Sequence, residues 1–250
     1  MVHLVTVRLG SVPYDTAWEL QQRLFDLRRR DEIDDVLLLV EHPHIYTIGR
    51  KGNLGHILLS KNELLKRGIT VRNVDRGGDV TYHGPGQLVG YPIISLCNRY
   101  HDVHRYLREL EEVLIRTVRR FGIEAVRIPG FTGVWVGDEK LAAIGVKVSD
   151  WITMHGFALN VNTDLSFFDG IIPCGIHDRG VTSMAKILGH TLNIWGVADA
   201  IEDLFAEVFH AISHRMDLEE FKKSLYERRI ENSKTTVGST RLRRNKYEFR

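Results

Sequence analysis

Twelve residues, Arg76-Gly-Gly-Asp-Val-Thr-Tyr-His-Gly-Pro-Gly-Gln87, constrain the fold more than any other stretch of this 250-residue chain. Five of them are Gly or Pro, which excludes a helix and demands sharp turns. The stretch lies between two β-prone segments, Ile69-Thr-Val71 with Val74 before it and Leu88-Val-Gly-Tyr-Pro-Ile-Ile94 after it. Glycines let a ligand come close where a Cβ would stand in the way. Bare backbone N–H groups can then hold its polar atoms. Arg76, Tyr82, His83 and Gln87 stand among the glycines as a cation, two ring donors and an amide. An ordinary hairpin loop has the same composition. A second cluster far along the chain separates the two readings: Lys140, His155-Gly-Phe-Ala158 and Pro173-Cys-Gly175.

Strand signals dominate the rest. The apolar run over residues 36–40 predicts a buried strand, and residues 2–7 alternate as a strand does. Two extended segments, 132–136 and 141–148, flank Gly137-Asp-Glu-Lys140 and predict a hairpin with Lys140 where turn becomes strand. Further strands are expected over residues 123–128 and 155–162, and a short turn over 165–168. Helices are expected after an Asp15 cap, over 58–66 with a stop at Gly68, and over 103–121 with Gly122 just past its end. A stripe from Val197 to Ile212 predicts another, and Asp217 caps a last one. Cys97, at the end of an apolar strand, reads as a small core residue. No regular strand–helix–strand alternation appears. The expected class is therefore α+β, a mixed, largely antiparallel sheet with packed helices.

The chain is long enough for a substantial core, and no apolar run approaches the roughly 20 residues that span a bilayer. Residues 1–8 lack the regions of a signal peptide, and two cysteines make no disulfide framework. Both point to a reducing, cytoplasmic setting. Net charge is +2, but residues 228–250 hold eight Lys/Arg against two Glu, a balance of +6 that leaves −4 for the remainder. The expected organisation is a catalytic domain over residues 1–227 and a basic, flexible tail over 228–250. Such a tail fits a solvated end, and it equally fits steering of an acidic partner; nothing else in the chain supports binding of nucleic acid.

Chemistry is expected around Cys174. Pro173 and Gly175 fix a tight backbone on either side of it, as an exposed nucleophile needs. A thiol reacts as its thiolate, and a nearby cation favours ionisation. Lys140 is one candidate cation, with His83 and His155 as alternatives; a buried structural thiol remains the plain reading. Lys186 reads as helix surface, and His101 and His104 as surface groups. Glu41, His42 and His44 suggest metal ligands, but Pro43 separates the histidines and no third strong ligand follows at suitable spacing, so no metal site is assigned.

With those residues in view, the chain resembles the lipoyl(octanoyl) transferases of lipoate biosynthesis, the lipoate-protein ligase B family. The resemblance covers about residues 36–186. It rests on Glu41-His-Pro, Tyr46-Thr-Ile-Gly-Arg50, the Gly-rich stretch, Lys140-Leu-Ala-Ala-Ile-Gly145, His155-Gly-Phe-Ala-Leu-Asn160 and Pro173-Cys-Gly175, in the family's order. It implies a fold like the catalytic domains of biotin and lipoate protein ligases. It implies octanoyl transfer from acyl carrier protein to a lysine of lipoyl domains, in 2-oxoacid dehydrogenase E2 subunits and the glycine cleavage H protein, without ATP or other cofactor. Cys174 matches the acyl-thioester nucleophile, and Lys140 the lysine that promotes its ionisation and serves as acid and base. Arg76, Gly77, Gly78, Asp79, Val80, Thr81, Tyr82 and His83 match acyl-site segments, as do Ala143, Ile144 and Gly145, and Gly156, Phe157 and Ala158. Two other readings stay open at this point. One is an ATP-dependent lipoate or biotin ligase, although the Gly-rich stretch carries one arginine, Arg76, and such a ligase needs no Cys174–Lys140 pair. The other is an inactive module that binds lipoyl domains.

Overall fold

Alternate residues of a strand face opposite ways, so an uninterrupted apolar strand must be covered on both sides. Residues 36–40 meet this condition at the middle of the protein, where none is more than 1 % exposed. The structure, a computed structural model, describes residues 2–97, 99–172 and 179–227. Its elements begin with β1 (Val2–Ser11), α1 (Tyr14–Arg29), β2 (Asp35–Glu41), β3 (Ile45–Ile48), α2 (Lys61–Lys66), β4 (Thr70–Asn73), β5 (Val80–His83) and β6 (Gln87–Ile93). They continue with α3 (Val103–Arg119), β7 (Val126–Ile128), β8 (Phe131–Val136), β9 (Glu139–Ser149), β10 (Ile152–Asn160), α4 (Met184–Leu188), α5 (Ile194–Val208) and β11 (Ala211–Met216). A last helix, α6, occupies residues 218–227, with the Asp217 carboxylate accepting from Glu219 N.

Among the described residues, one sheet has eight strands in the order β11-β1-β2-β6-β10-β9-β8-β7, and a second has three, β4-β3-β5. β1 is parallel to β2 and β11, and β3 to β4, while the other pairings are antiparallel. This is the mixed, largely antiparallel α+β architecture expected. Leu37, Leu39, Leu88 and Leu159 pack on one face with Leu110, Leu114, Ile201 and Phe205 of α3 and α5. Val36, Leu38, Val40 and Ala158 pack on the other with Ala17 and Leu24 of α1 and Phe221 and Leu225 of α6. The small sheet has its own core of Tyr46, Ile48, Val80, Tyr82 and Phe168.

Local chemistry sets the element ends. The Asp102 side chain caps α3 by accepting from Arg105 N, and Ser60 with Glu63 forms a capping box at α2. Gly68 follows α2 with φ +64°. Three expectations need correction. Asp15 does not cap α1; Pro13 stands there, and Asp15 instead pairs with Arg72 of β4 at 2.6 Å. Cys97 is exposed, because Leu96 takes the inward position and the chain then turns. Ile212 is not helical: α5 ends at Val208, His210 adopts φ +49°, and Ile212 lies 45 % exposed on β11.

Asp35 ties the sheet to its surroundings. Its side chain is fully buried. Oδ1 accepts from Arg28 Nε at 2.8 Å and from Ser95 N at 2.9 Å, and Oδ2 accepts from an Arg99 guanidinium nitrogen at 3.0 Å. Both arginine side chains are at most 10 % exposed. Asp35→Ala strands two buried cations and a backbone donor, so it is expected to cost about 3–5 kcal/mol in urea unfolding. A loss under about 1 kcal/mol contradicts this account.

Candidate active site

The Gly-rich stretch does not close a simple hairpin. Its second half forms β5 in the small sheet, and β6 belongs to the large one. The chain crosses between them at Gly84-Pro85-Gly86, where Gln87 N donates to Gly84 O at 3.1 Å. Gly86 has φ +80°, and a Cβ there would sit 2.6 Å from Asn162 O. Only glycine fits both conditions. Its first half lies flat on β9: Gly77 N donates to Val146 O at 2.8 Å, and a Cβ at Gly145 would come within 3.0 Å of Gly77 O. The Arg76 guanidinium holds this roof to β3, donating to Thr47 O at 2.7 Å and Thr47 Oγ1 at 2.9 Å.

Between roof and sheet runs a cavity. Arg76, Gly77, Gly78, Thr81 and His83 line it from above. Ala143, Ile144 and Gly145 of β9 and Gly156, Phe157 and Ala158 of β10 line it from the sheet, in register as Ala158–Ala143, Phe157–Ile144 and Gly156–Gly145. Ala, Gly, Gly and Ala carry at most a methyl, so they leave room where larger residues would fill it. A smaller cavity shares Thr81, Ala143 and Ala158 and adds Lys140, Gln87, Asn160 and Phe168. The two make a channel along β10 that leads to Lys140. Between residues 155 and 160 it follows about 16 Å of strand, at roughly 3.3 Å per residue.

Lys140 is 9 % exposed. Its N donates to Gly180 O at 2.9 Å, its O accepts from Thr182 N at 3.0 Å, and Nζ stands 4.8 Å from the centre of the Trp135 ring. On the other flank, Ile172 N donates to His56 O at 2.8 Å, and Ile171 bridges to Ile57. Residues 173–178, with Cys174 and its neighbours Pro173 and Gly175, lie outside the described residues, as does the 228–250 tail.

Asp79, Val80 and Tyr82 are not among the lining residues. Val80 and Tyr82 alternate with Thr81 and His83 along β5 and face the small core. Asp79 pairs with His56 Nδ1 at 2.5 Å and accepts from Asn53 N at 3.1 Å, which fixes the neighbouring loop. Conversely, Tyr14, Val89 and Tyr91 line the cavity without having been singled out. Period-two alternation through Val89 and Tyr91 was the available signal for those two; Tyr14, at the start of α1, left none.

The histidines near the channel are all engaged. His42 Nδ1 donates to Val12 O at 2.8 Å, so its Nε2 accepts from Tyr91 OH at 2.7 Å. His44 Nδ1 meets Tyr82 OH at 2.8 Å. His83 Nδ1 contacts Gln87 Oε1 at 2.8 Å, and Gln87 Nε2 donates to Tyr82 O and Asn160 Oδ1, so His83 carries its proton on Nδ1. His155, at φ +59°, donates Nε2–H to Asp75 Oδ1 at 2.7 Å and faces Tyr14 OH with Nδ1 at 3.4 Å. That hydrogen bond and the Lys147 ammonium hold the Asp75 carboxyl far below its usual range. Burial lowers His155 despite Asp75, brings His42 down to about 4, and brings His83 to about 3, the last helped by His42. The channel wall is therefore lined by neutral imidazoles at pH 7.

The lipoyl protein ligase A/B catalytic domain model matches residues 13–206. The chain belongs to that family. An octanoyltransferase of Caldicellulosiruptor saccharolyticus is 51% identical over 220 residues, which is 86% of this chain and 94% of that protein. One of Rubrobacter xylanophilus is 54% identical over 201 residues, 80% of this chain and 90% of that protein. With such relatives the chain is an enzyme, an acyltransferase. Lipoate-protein ligase A bound with ATP shares the fold at a TM-score of 0.70 and 19% identity, covering 90% of this chain and 92% of that one. A bi-partite lipoate protein ligase of Thermoplasma acidophilum does so at 0.70 and 19%, covering 90% and 91%.

His42 and His83 bind a proton less readily folded than unfolded, so their stabilisation is complete above pH 6.5 and is lost as pH falls toward about 4 and about 3. The urea midpoint is expected to fall over that window, with a shallower slope in His42→Gln. A profile flat from pH 6.5 to 4.5, or a slope that His42→Gln leaves unchanged, is inconsistent with these buried neutral rings.

Proposed function

We propose that this enzyme moves an octanoyl group from octanoyl-acyl carrier protein to a specific lysine of lipoyl domains, through a thioester on Cys174. The acceptors are E2 subunits of 2-oxoacid dehydrogenases and the glycine cleavage H protein. The reading rests on the channel: a narrow, small-residue passage under the Gly-rich roof that ends at a buried lysine. Residues 1–227 supply the catalytic domain in this account, and the 228–250 tail supplies none of the chemistry.

The steps balance with two groups. The Cys174 thiolate attacks the incoming thioester carbonyl, and the C–S bond to pantetheine breaks. The Lys140 ammonium gives its proton to the departing thiolate, which leaves octanoyl-Cys174 and a neutral Lys140. The acceptor's amine then attacks the new thioester, Lys140 takes a proton from that nitrogen, and the Cys174 thiolate departs. Exchange between thioesters is nearly balanced and thioester to amide is downhill, so no nucleotide is required. Arg76, Gly77, Gly78, Thr81, His83, Ala143, Ile144, Gly145, Gly156, Phe157 and Ala158 line the acyl chain's path in this reading, with Asp79, Val80 and Tyr82 shaping it from behind. Each buried CH₂ contributes roughly 0.8 kcal/mol, so neighbouring chain lengths differ by about tenfold or less.

Intact-protein mass spectrometry after incubation with octanoyl-acyl carrier protein and no ATP tests this. Wild type is expected to gain a hydroxylamine-labile octanoyl mass, and Cys174→Ala none. Lys140→Ala is expected to acylate at least about a hundredfold more slowly, as loss of a general acid–base group does. The competing ligase reading, which the fold shared with an ATP-bound lipoate ligase keeps in view, predicts the reverse: no adduct, and lipoyl-domain modification only with ATP.

A further inference from the structure

The segment between β3 and β4, residues 50–67, is tied to both sides of the candidate site. At its start, Arg50 N donates to Arg76 O at 3.0 Å and Lys51 N to Gly78 O at 3.1 Å, so it begins against the Gly-rich roof. Further on, Leu58 N donates to Gly170 O at 2.9 Å, and His56 O accepts from Ile172 N at 2.8 Å. Ile172 stands two positions before Cys174 in the sequence. The segment therefore borders the roof and the stretch that leads into Pro173-Cys-Gly175.

Its charge is unlike that of its surroundings. Residues 50–67 hold five Lys/Arg against one Glu, a balance of +4 that leaves −8 for the rest of residues 1–227. The one carboxylate, Glu63, is committed to the α2 capping box, accepting from Ser60 N at 2.8 Å and Ser60 Oγ at 2.6 Å. Arg50, Lys51, Lys61 and Lys66 are exposed and form no ion pair among the described residues. On α3, by contrast, Arg116 meets Glu207 at 2.6 Å and Arg120 meets Asp203 at 3.0 Å. Apolar side chains stand among these cations. Ile57, Leu59 and Leu64 pack on the small core, whereas Leu54, Leu58 and Leu65 are 67 %, 57 % and 80 % exposed. Core packing accounts for the first three and not for the second. Exposed leucines ringed by unpaired cations make a surface suited to an acidic protein. The 228–250 tail, at +6, has the wrong sign to cover it.

We propose that residues 50–67 are the docking surface for the acidic carrier protein that delivers the acyl group. The proposal rests on the octanoyl-transfer reading and deepens it. The donor's arm is joined to its carrier by a phosphodiester, so the donor brings a permanent anion to this rim along with the carboxylates of its own surface. The acceptor presents a lysine, whose ammonium form a cationic rim repels. Opposite charge speeds the encounter and orients the carrier, and the three leucines give it apolar contact once docked. A carrier held here directs its arm between the roof and the chain at Ile172.

Acylation of the full-length enzyme by octanoyl-acyl carrier protein and by octanoyl phosphopantetheine, followed by intact mass, tests this. The second donor has the same arm and phosphate but no protein. The readout is the ratio of their kcat/KM values, in which any general loss of activity cancels. In the triple variant Lys51→Glu, Lys61→Glu, Lys66→Glu the ratio is expected to fall at least about tenfold, the scale of electrostatic steering. The wild-type ratio should also fall as salt rises from about 0.01 M to about 1 M, where the screening length shrinks from roughly 30 Å to roughly 3 Å. Arg119→Glu changes one charge by the same amount on α3, which packs on the sheet face opposite α1, and should leave the ratio near that of wild type. A ratio that the triple variant leaves within about twofold of wild type overturns the docking surface while octanoyl transfer stands. So does a loss found only in the second half-reaction, from preformed octanoyl-enzyme to a lipoyl domain, which would assign the patch to the acceptor. If octanoyl-acyl carrier protein gives wild type no adduct, it is the transfer reading that falls.

Discussion

The site depends on one close approach, a loop laid backbone to backbone on a sheet. Gly77 N bonds to Val146 O at 2.8 Å, and Gly145 leaves the gap that Gly77 O occupies. A side chain at either place would lift the roof and open the channel to water. Arg76 keeps it down by spending its guanidinium on Thr47 and Gly77 O, so the one cation of the Gly-rich stretch works here as a clamp. From that contact follow the narrowness of the channel, the need for Ala and Gly along its floor, and its direction toward Lys140.

Electrostatics complete the design. A wall with four titratable rings, Tyr14, His83, Tyr91 and His155, backed by a fifth in His42, could carry several charges. Burial keeps His42, His83 and His155 neutral, and it raises Tyr14 and Tyr91 away from ionisation. The carboxylates lie to the side, Asp75 paired with Lys147 at 2.6 Å and Asp79 hydrogen-bonded to His56. Lys140 is thus placed at one end beside Trp135, while the Arg76 guanidinium in the roof is spent on Thr47 and Gly77 O and the floor of Ala143, Ile144, Gly145, Phe157 and Ala158 stays apolar and favourable to hydrocarbon.

Much of this was legible in the sequence, and the failures have physical causes. The apolar run 36–40 announced a strand covered on both faces, and Gly137-Asp138 announced the hairpin that carries Lys140. β11 was hidden because it is half polar and exposed, an edge strand that among the described residues pairs only with β1. Motif matching named Arg76–His83 as a block, but strand alternation sends Val80 and Tyr82 into the small core while Thr81 and His83 face the channel. Tyr14 belongs to a helix remote in sequence, so only tertiary packing brings it to His155. His155 adopts φ +59°, a turn in the strand that no residue pattern signals. Cys174, the residue the motif reading leans on most, is not among the described residues.

The most direct test of the channel is a crystal structure of the enzyme carrying an octanoyl chain on Cys174, trapped in the Lys140→Ala variant. The account predicts continuous density from the Cys174 sulfur past Ala143 and Ala158 and beneath Gly77, with the last carbons beside Gly156 and Tyr91. Density for the chain outside the roof, or between the sheet and α3, would contradict it and remove the basis for reading this passage as the acyl site.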